Sequence, residues 1–151
     1  MLNWTEKQIE KLDSKTKDYT EKEKTKIGYS YIKSALYIVP EKITDDTDLQ
    51  EFKTKIENLI DSLPIENNSG KVEYDSYLLA LKSFKKEVKQ KYNVISKGTY
   101  INQGVLGMPV GSLLGLLFDH LVFGLLIGLT GGLIIGSVLE SKAKKENRLL
   151  N

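Results

Sequence analysis

Few residues in this 151-residue chain have the types and spacing that chemistry uses. His120 is the single histidine, and it stands beside Asp119. Such a pair can orient an imidazole for proton transfer or help hold a metal, but either role needs further partners close by. At a turn, Asp-His reads first as polar turn chemistry. The chain has no cysteine, which removes thiol chemistry, zinc knuckles and disulfide frameworks. Asp45, Asp46 and Asp48 invite a calcium reading, yet an EF-hand loop counted from Asp46 has Glu51 where glycine is required. These acids fit better at the positive end of a helix dipole. No glycine-rich phosphate loop is present, and the remaining carboxylates are scattered over Lys/Glu-rich stretches. The sequence therefore predicts no catalytic residue, no cofactor-binding residue, no metal ligand and no enzyme.

What remains is a pattern of glycines, set in a chain of two unlike parts. From Met1 to Gly98 there are 18 lysines against 17 acidic residues. From Thr99 to Leu139 the one formal charge is Asp119. A net charge of +2 gives no basic excess of the kind nucleic-acid binding needs. Of 22 basic residues only Arg148 is arginine. Lysine, asparagine and isoleucine have AT-rich codons, so the composition predicts a low-GC, bacterial source. Glu6, Lys7 and Glu10 follow the N-terminus directly, and no apolar run occurs before residue 100. No secretory signal is expected in that region, which should stay where it is made.

Residues 1–98 read as a small bundle of three or four helices. Thr5 with Gln8 fits a capping box, followed by Ile9, Leu12, Thr16 and Tyr19 at helical spacing. Ser14 to Lys26 is almost wholly polar, either a solvated helix or a frayed connection. The stripe resumes at Ile27, Tyr31, Leu36 and Ile38, and Pro40 stops it. A second start falls at Thr44–Asp48, with Asp48/Glu51 or Thr47/Gln50 as the box. Its apolar set is Leu49, Phe52, Ile56, Leu59, Ile60 and Leu63, ended by Pro64 and the Asn67–Gly70 cluster. A last helix is expected from about Glu73 to Lys91. Its apolar face is Tyr77, Leu78, Leu81, Phe84 and Val88. Its basic face is Lys82, Lys85, Lys86 and Lys89.

Between Gly104 and Leu139 lie nine of the twelve glycines. Gly107, Gly111 and Gly115 are spaced by four, and so are Gly124, Gly128, Gly132 and Gly136. Glycine at every fourth residue among Leu, Ile and Val cuts a groove along a helix, into which another backbone fits. In water each glycine costs ~1 kcal/mol relative to alanine. In a bilayer the backbone must pair internally, which nearly forces a helix. A helix apolar all round must be covered on every side, and a few short amphipathic helices cannot wrap two of them and fill their own core.

One helix over this segment would be ~54 Å long, against a hydrocarbon core of ~30 Å. It would also bury Asp119 at its centre, at ~2.5–3.5 kcal/mol. A break at 119–120 removes both difficulties and leaves arms of about 100–118 and 121–139. Gly115 and Gly124 are nine residues apart, ~180° around a continuous helix, so the two rows can face each other only across a turn. Pro109 lies in the first arm as a site for a kink. Lys85, Lys86, Lys89, Lys91 and Lys97 precede the segment, and Lys142, Lys144, Lys145 and Arg148 follow it. Basic flanks stay cytoplasmic, so an even number of crossings is favoured, with both termini inside. A tail anchor formed by Leu121–Leu139 alone ranks second.

The expected fold is therefore all-α. A cytosolic domain (1–98) precedes a transmembrane hairpin with GxxxG faces (99–140) and a basic tail (141–151). In Gly107, Gly111, Gly115, Gly124, Gly128, Gly132 and Gly136 the chain resembles the small glycine-zipper membrane proteins of bacteria. The resemblance covers Gly104 to Leu139. It implies close helix packing and leaves room for self-association, and implies no substrate; the expected location is the bacterial inner membrane, with membrane lipid as one partner. The Lys-rich face of the last soluble helix is expected either to be solvated or to meet anionic headgroups. Two functions compete. One is a membrane-anchored module whose cytosolic bundle binds a protein partner. The other is a pore assembled from several hairpins, for which Ser112, Thr130 and Ser137 are the only hydroxyls between Gly104 and Leu139.

Overall fold

The structure is a computed structural model that describes residues 3–64 and 74–150, with the side chains of Thr99 and Tyr100 left aside. It is built of seven α-helices and a two-stranded sheet among the described residues. Residues 1–94 with 150–151 form one unit, and residues 95–149 form another. The division thus falls four residues before the expected one.

In the first unit, Asn3 rather than Thr5 begins helix α1 (Trp4–Lys15), its N–H donating to Glu6 Oε2 at 2.9 Å. The sidechain oxygen at the third helical position satisfies a donor that would otherwise be orphaned. The polar stretch after it is a break followed by a short helix, α2 (Glu21–Lys26), with a capping box between Thr20 and Glu23. Gly28 follows at φ +71°, and a Cβ there would stand 3.1 Å from the Leu81 side chain. Glycine permits both that dihedral and that approach. Helix α3 (Tyr29–Ile38) ends just ahead of Pro40, which begins a short 3-10 turn.

Asp45 caps α4 (Asp46–Asp61) by accepting from Asp48 N–H at 2.9 Å. Neither expected box is the cap. Asp48 and Glu51 instead reach across to helix α5 (Asp75–Tyr92), where Lys91 Nζ lies 2.8 Å from Asp48 Oδ1 and 2.6 Å from Glu51 Oε2. The Asn67–Gly70 breaker and the Glu73 start lie outside the described residues.

The apolar stripes meet in one core: Leu12, Ile27, Ile32, Leu36, Val39, Phe52, Ile56, Ile60 and Val88 are almost wholly buried. Leu150, from the other end of the chain, is buried in the same core. Two buried hydroxyls are matched: Thr16 Oγ1 donates to Leu12 O at 2.8 Å, and Tyr77 OH donates to Ile27 O at 2.8 Å; Gln8 Oε1 is buried with no hydrogen-bond partner among the described residues. Burial pushes the Tyr31 and Tyr77 hydroxyls well above their ordinary pKa.

Charges close the outside of this core. Lys55 Nζ lies 2.7 Å from Glu51 and 2.5 Å from Glu87. Hydrogen bonds from Lys55 and Lys91 lower the Glu51 carboxyl to about 2, and those from Lys11 and Lys15 lower Asp61. A carboxyl with a depressed folded pKa adds stability above its unfolded value, ~4.3 for Glu, and that stability disappears as pH falls through the folded value. Glu51 is 43% exposed and so screened by solvent, which keeps the effect modest. With the full chain in mild detergent, followed by fluorescence of its single tryptophan, Trp4, melting should hold steady from about pH 7 to about pH 5 and fall between about pH 4.5 and about pH 2. Glu51→Gln should shrink that fall. An undiminished fall in the variant would assign the acid sensitivity to other groups.

Candidate functional site: the glycine-packed hairpin

Strand β1 (Ile95–Ser96) leads into the second unit, whose two long helices are α6 (Thr99–Leu117) and α7 (Leu121–Lys145). Strand β2 (Leu149–Leu150) pairs with β1, and Ile95 N–H donates to Arg148 O at 2.8 Å. The first arm begins one residue earlier than expected. The second runs six residues past Leu139, so Lys142, Lys144 and Lys145 form the last turn of α7 rather than a separate tail.

The helices lie antiparallel along their glycine rows. A Cβ added to Gly111 would stand 2.6 Å from Gly128 Cα, with Gly124 O nearer still. A Cβ on Gly128 would stand 2.8 Å from Gly111 Cα, and one on Gly115 would stand 2.9 Å from Gly124 Cα. Gly107 faces Gly128 and Gly132 in the same way. Each obstructing group is backbone, so no side-chain rotation could relieve the overlap. Gly136 is buried on α7. Gly104, which the four-residue spacing leaves out, faces Leu133 and Leu129, and a Cβ on Gly132 would meet Gly104 Cα at 2.9 Å. The missed signal was its position three residues before Gly107. Gly131 has nothing within 4 Å of a built Cβ.

The turn works without glycine or proline. Asp119 takes φ +54°. Its N–H reaches Leu116 O at 3.4 Å, while His120 N–H reaches Gly115 O at 2.8 Å. This is a Schellman termination, with aspartate in the left-handed position that short polar side chains tolerate. His120 O then accepts from Gly124 N–H at 3.0 Å as α7 begins. The His120 ring lies edge-on to Phe123, at 6.0 Å between centroids. Among the described residues, no three His, Cys, Asp or Glu gather as metal ligands. At the far end of α7 the same device recurs. Asn147 takes φ +51°, and Arg148 N–H donates to Ala143 O at 2.8 Å.

Pro109 does not interrupt α6. Two hydroxyls of the arms are satisfied within their own helices: Ser112 donates to Met108 O at 2.8 Å, and Thr130 to Leu126 O at 2.9 Å. Outward, the arms present apolar side chains. Of the twenty large hydrophobics left exposed among the described residues, eighteen lie between Ile101 and Leu139. Helix α7 is long and apolar enough to cross a membrane, and only 17% of its apolar stretch is buried, unlike a core helix. The apolar part of α6, Ile101–Leu117, is shorter.

The flanking cations divide by environment. Lys85 is half-buried in the first unit, its Nζ 4.7 Å from the centre of the Tyr31 ring, and burial lowers its pKa. It is thereby drawn away from the solvated basic face. Lys86 and Lys89 are exposed on α5. Lys97, Lys142, Lys144 and Lys145 are exposed in the second unit. Arg148 pairs with Glu146. No family model matches the chain, and no match is found among curated proteins or solved structures.

Proposed function

We propose that α6 and α7 insert into a bacterial inner membrane as a two-span hairpin, with both chain termini in the cytoplasm and the helical bundle as a module for a protein partner. The observation that carries this reading is the exposed apolar surface. Monomeric soluble proteins rarely show contiguous apolar patches beyond a few hundred Å², whereas the hairpin exposes large apolar residues from one end to the other. Lipid covers such a surface at no cost in polar desolvation. At 1.5 Å per residue α6 is ~28 Å long and α7 ~37 Å, so each is comparable with a hydrocarbon core of ~30 Å.

Pairing of β1 with β2 supports the topology, because it joins the residues that precede α6 to those that follow α7. Both must then be on one face of the bilayer, and the basic residues Lys97, Lys142, Lys144 and Lys145 favour the cytoplasmic face. The glycine rows are occupied by each other, which favours hairpin closure as their role; association between copies would have to use another surface. A pore gains no support from Ser112 or Thr130, whose hydroxyls are turned back to helix carbonyls.

The test is fractionation with thiol labelling. The chain should remain with membranes through alkaline carbonate extraction. Single cysteines at Ser83 and Ser141, both exposed, should be shielded from an impermeant thiol reagent on intact cells and should both react once the membrane is opened. Reaction of only one of them on intact cells would exclude the hairpin. Release of the chain by carbonate would exclude the membrane reading altogether.

A further inference from the structure

At the base of the hairpin, Ser137, Glu140, Ser141 and Lys144 lie at i, i+3, i+4 and i+7 on α7, so they share one helix face. Lys97, after β1, and Leu149, in β2, complete a concave site of about 390 Å³ with them. Its hydroxyls differ from those of Ser112 and Thr130. Ser112 and Thr130 give their hydrogens to their own helix. The side chains of Ser137, Ser141, Lys97 and Lys144 have no hydrogen-bond or ion-pair partner among the described residues. Glu140, the acid on the lining, is itself engaged. Two lysines and two serines, all exposed, thus line one concavity where the apolar arm ends. Val138 and Leu139, exposed beside Ser137, continue apolar surface up from the rim.

We infer that this site binds the phosphate headgroup of an anionic glycerophospholipid. Lysine ammonium and serine hydroxyl groups donate to phosphate oxygens, which accept several strong hydrogen bonds at once. Leu149 and the apolar surface beyond Ser137 receive the glycerol backbone and the start of an acyl chain. A soluble phosphate has no use for that apolar surface, which is why the assignment is to a lipid. The inference rests on membrane insertion of the hairpin, and it selects one place and one lipid class within that reading.

The experiment uses the full chain in a neutral, mild detergent. Its melting temperature is followed as phosphatidylglycerol, phosphatidylcholine or inorganic phosphate is added. Phosphatidylglycerol should raise it in a saturable way, and phosphatidylcholine and inorganic phosphate should not. Lys97→Gln with Lys144→Gln should weaken the apparent phosphatidylglycerol affinity about tenfold or more, since one basic residue at an anionic surface is worth about fivefold. Lys142→Gln with Lys145→Gln removes the same charge outside the site and should weaken it much less. Equal losses in the two double variants would mean diffuse attraction and would overturn the site. Stabilisation by inorganic phosphate alone, matching that by the lipid, would overturn the lipid assignment. A chain that stays soluble and monodisperse without detergent would instead refute the membrane reading beneath it.

Discussion

Alanine at Gly111 or Gly128 should open the hairpin, while alanine at Gly131 should leave it closed. The three positions differ by what a single methyl group meets. At Gly111 it would stand 2.6 Å from Gly128 Cα, and at Gly128 it would stand 2.8 Å from Gly111 Cα. Both separations are far inside ordinary carbon contact, ~3.5–4.0 Å. The obstructing atoms belong to helix backbones, so relief requires one whole helix to move. Moving it forfeits dispersion contacts along the entire groove, and in the proposed bilayer setting no hydrophobic drive between helices offsets that loss. The expected cost is about 3 kcal/mol, the upper end of overpacking penalties. Gly131 faces open space, so its substitution adds only helix propensity, a gain of up to ~1 kcal/mol. Spin labels at Leu106 and Ile127, both exposed on the arms, should report a longer and broader separation in Gly111→Ala and Gly128→Ala, and an unchanged one in Gly131→Ala. Equal distance distributions in all three would mean that the glycines are merely tolerated.

That contrast also marks what the sequence could convey. A period of four identified the rows, and the nine-residue step from Gly115 to Gly124 required a turn between them, which is where Asp119 and His120 are. The period could not separate Gly131 from Gly132, since adjacent glycines differ only in which way the helix turns them. It also passed over Gly104, which lies off the four-residue step yet still on the packed face. In the first unit the apolar stripes were legible because burial repeats with the helix, from Phe52 through Ile56 to Leu59 and Ile60. The caps were less so. Asn3 and Asp45 each stand two or three residues before the cap the sequence suggested, because several Ser, Thr, Asp or Asn residues near a helix start satisfy the same local rule. Pairing of Ile95 with Arg148, and burial of Leu150 with the distant core, join positions more than fifty residues apart. Nothing in local spacing encodes such contacts; they arise once both ends of the hairpin are brought together.

The first unit should depend most heavily on Phe52. Its side chain is 2% exposed, and its ring lies 6.0 Å from Phe84 and 6.1 Å, edge-on, from Tyr92. It thus fixes α4 against α5 at two places. Removing the ring leaves a cavity lined by residues from both helices, and Phe→Ala in a core costs about 3–5 kcal/mol. For a domain of this size each kcal/mol shifts the melting temperature by about 4–8 °C, so Phe52→Ala should lower it by more than about 12 °C. Phe52→Leu keeps most of the volume and should cost less than about half as much. Trp4 is a suitable reporter because it lies on α1, is not one of the ring partners of Phe52, and its Nε1 donates to Glu57 Oε1 at 2.6 Å. A cooperative core transmits loss of the α4–α5 contact to that indole, and its fluorescence transition should move with the far-ultraviolet circular dichroism of the whole chain. If Phe52→Ala leaves the Trp4 transition in place, α1 and α4 hold together without α5, and the first unit is two independent pieces rather than one core.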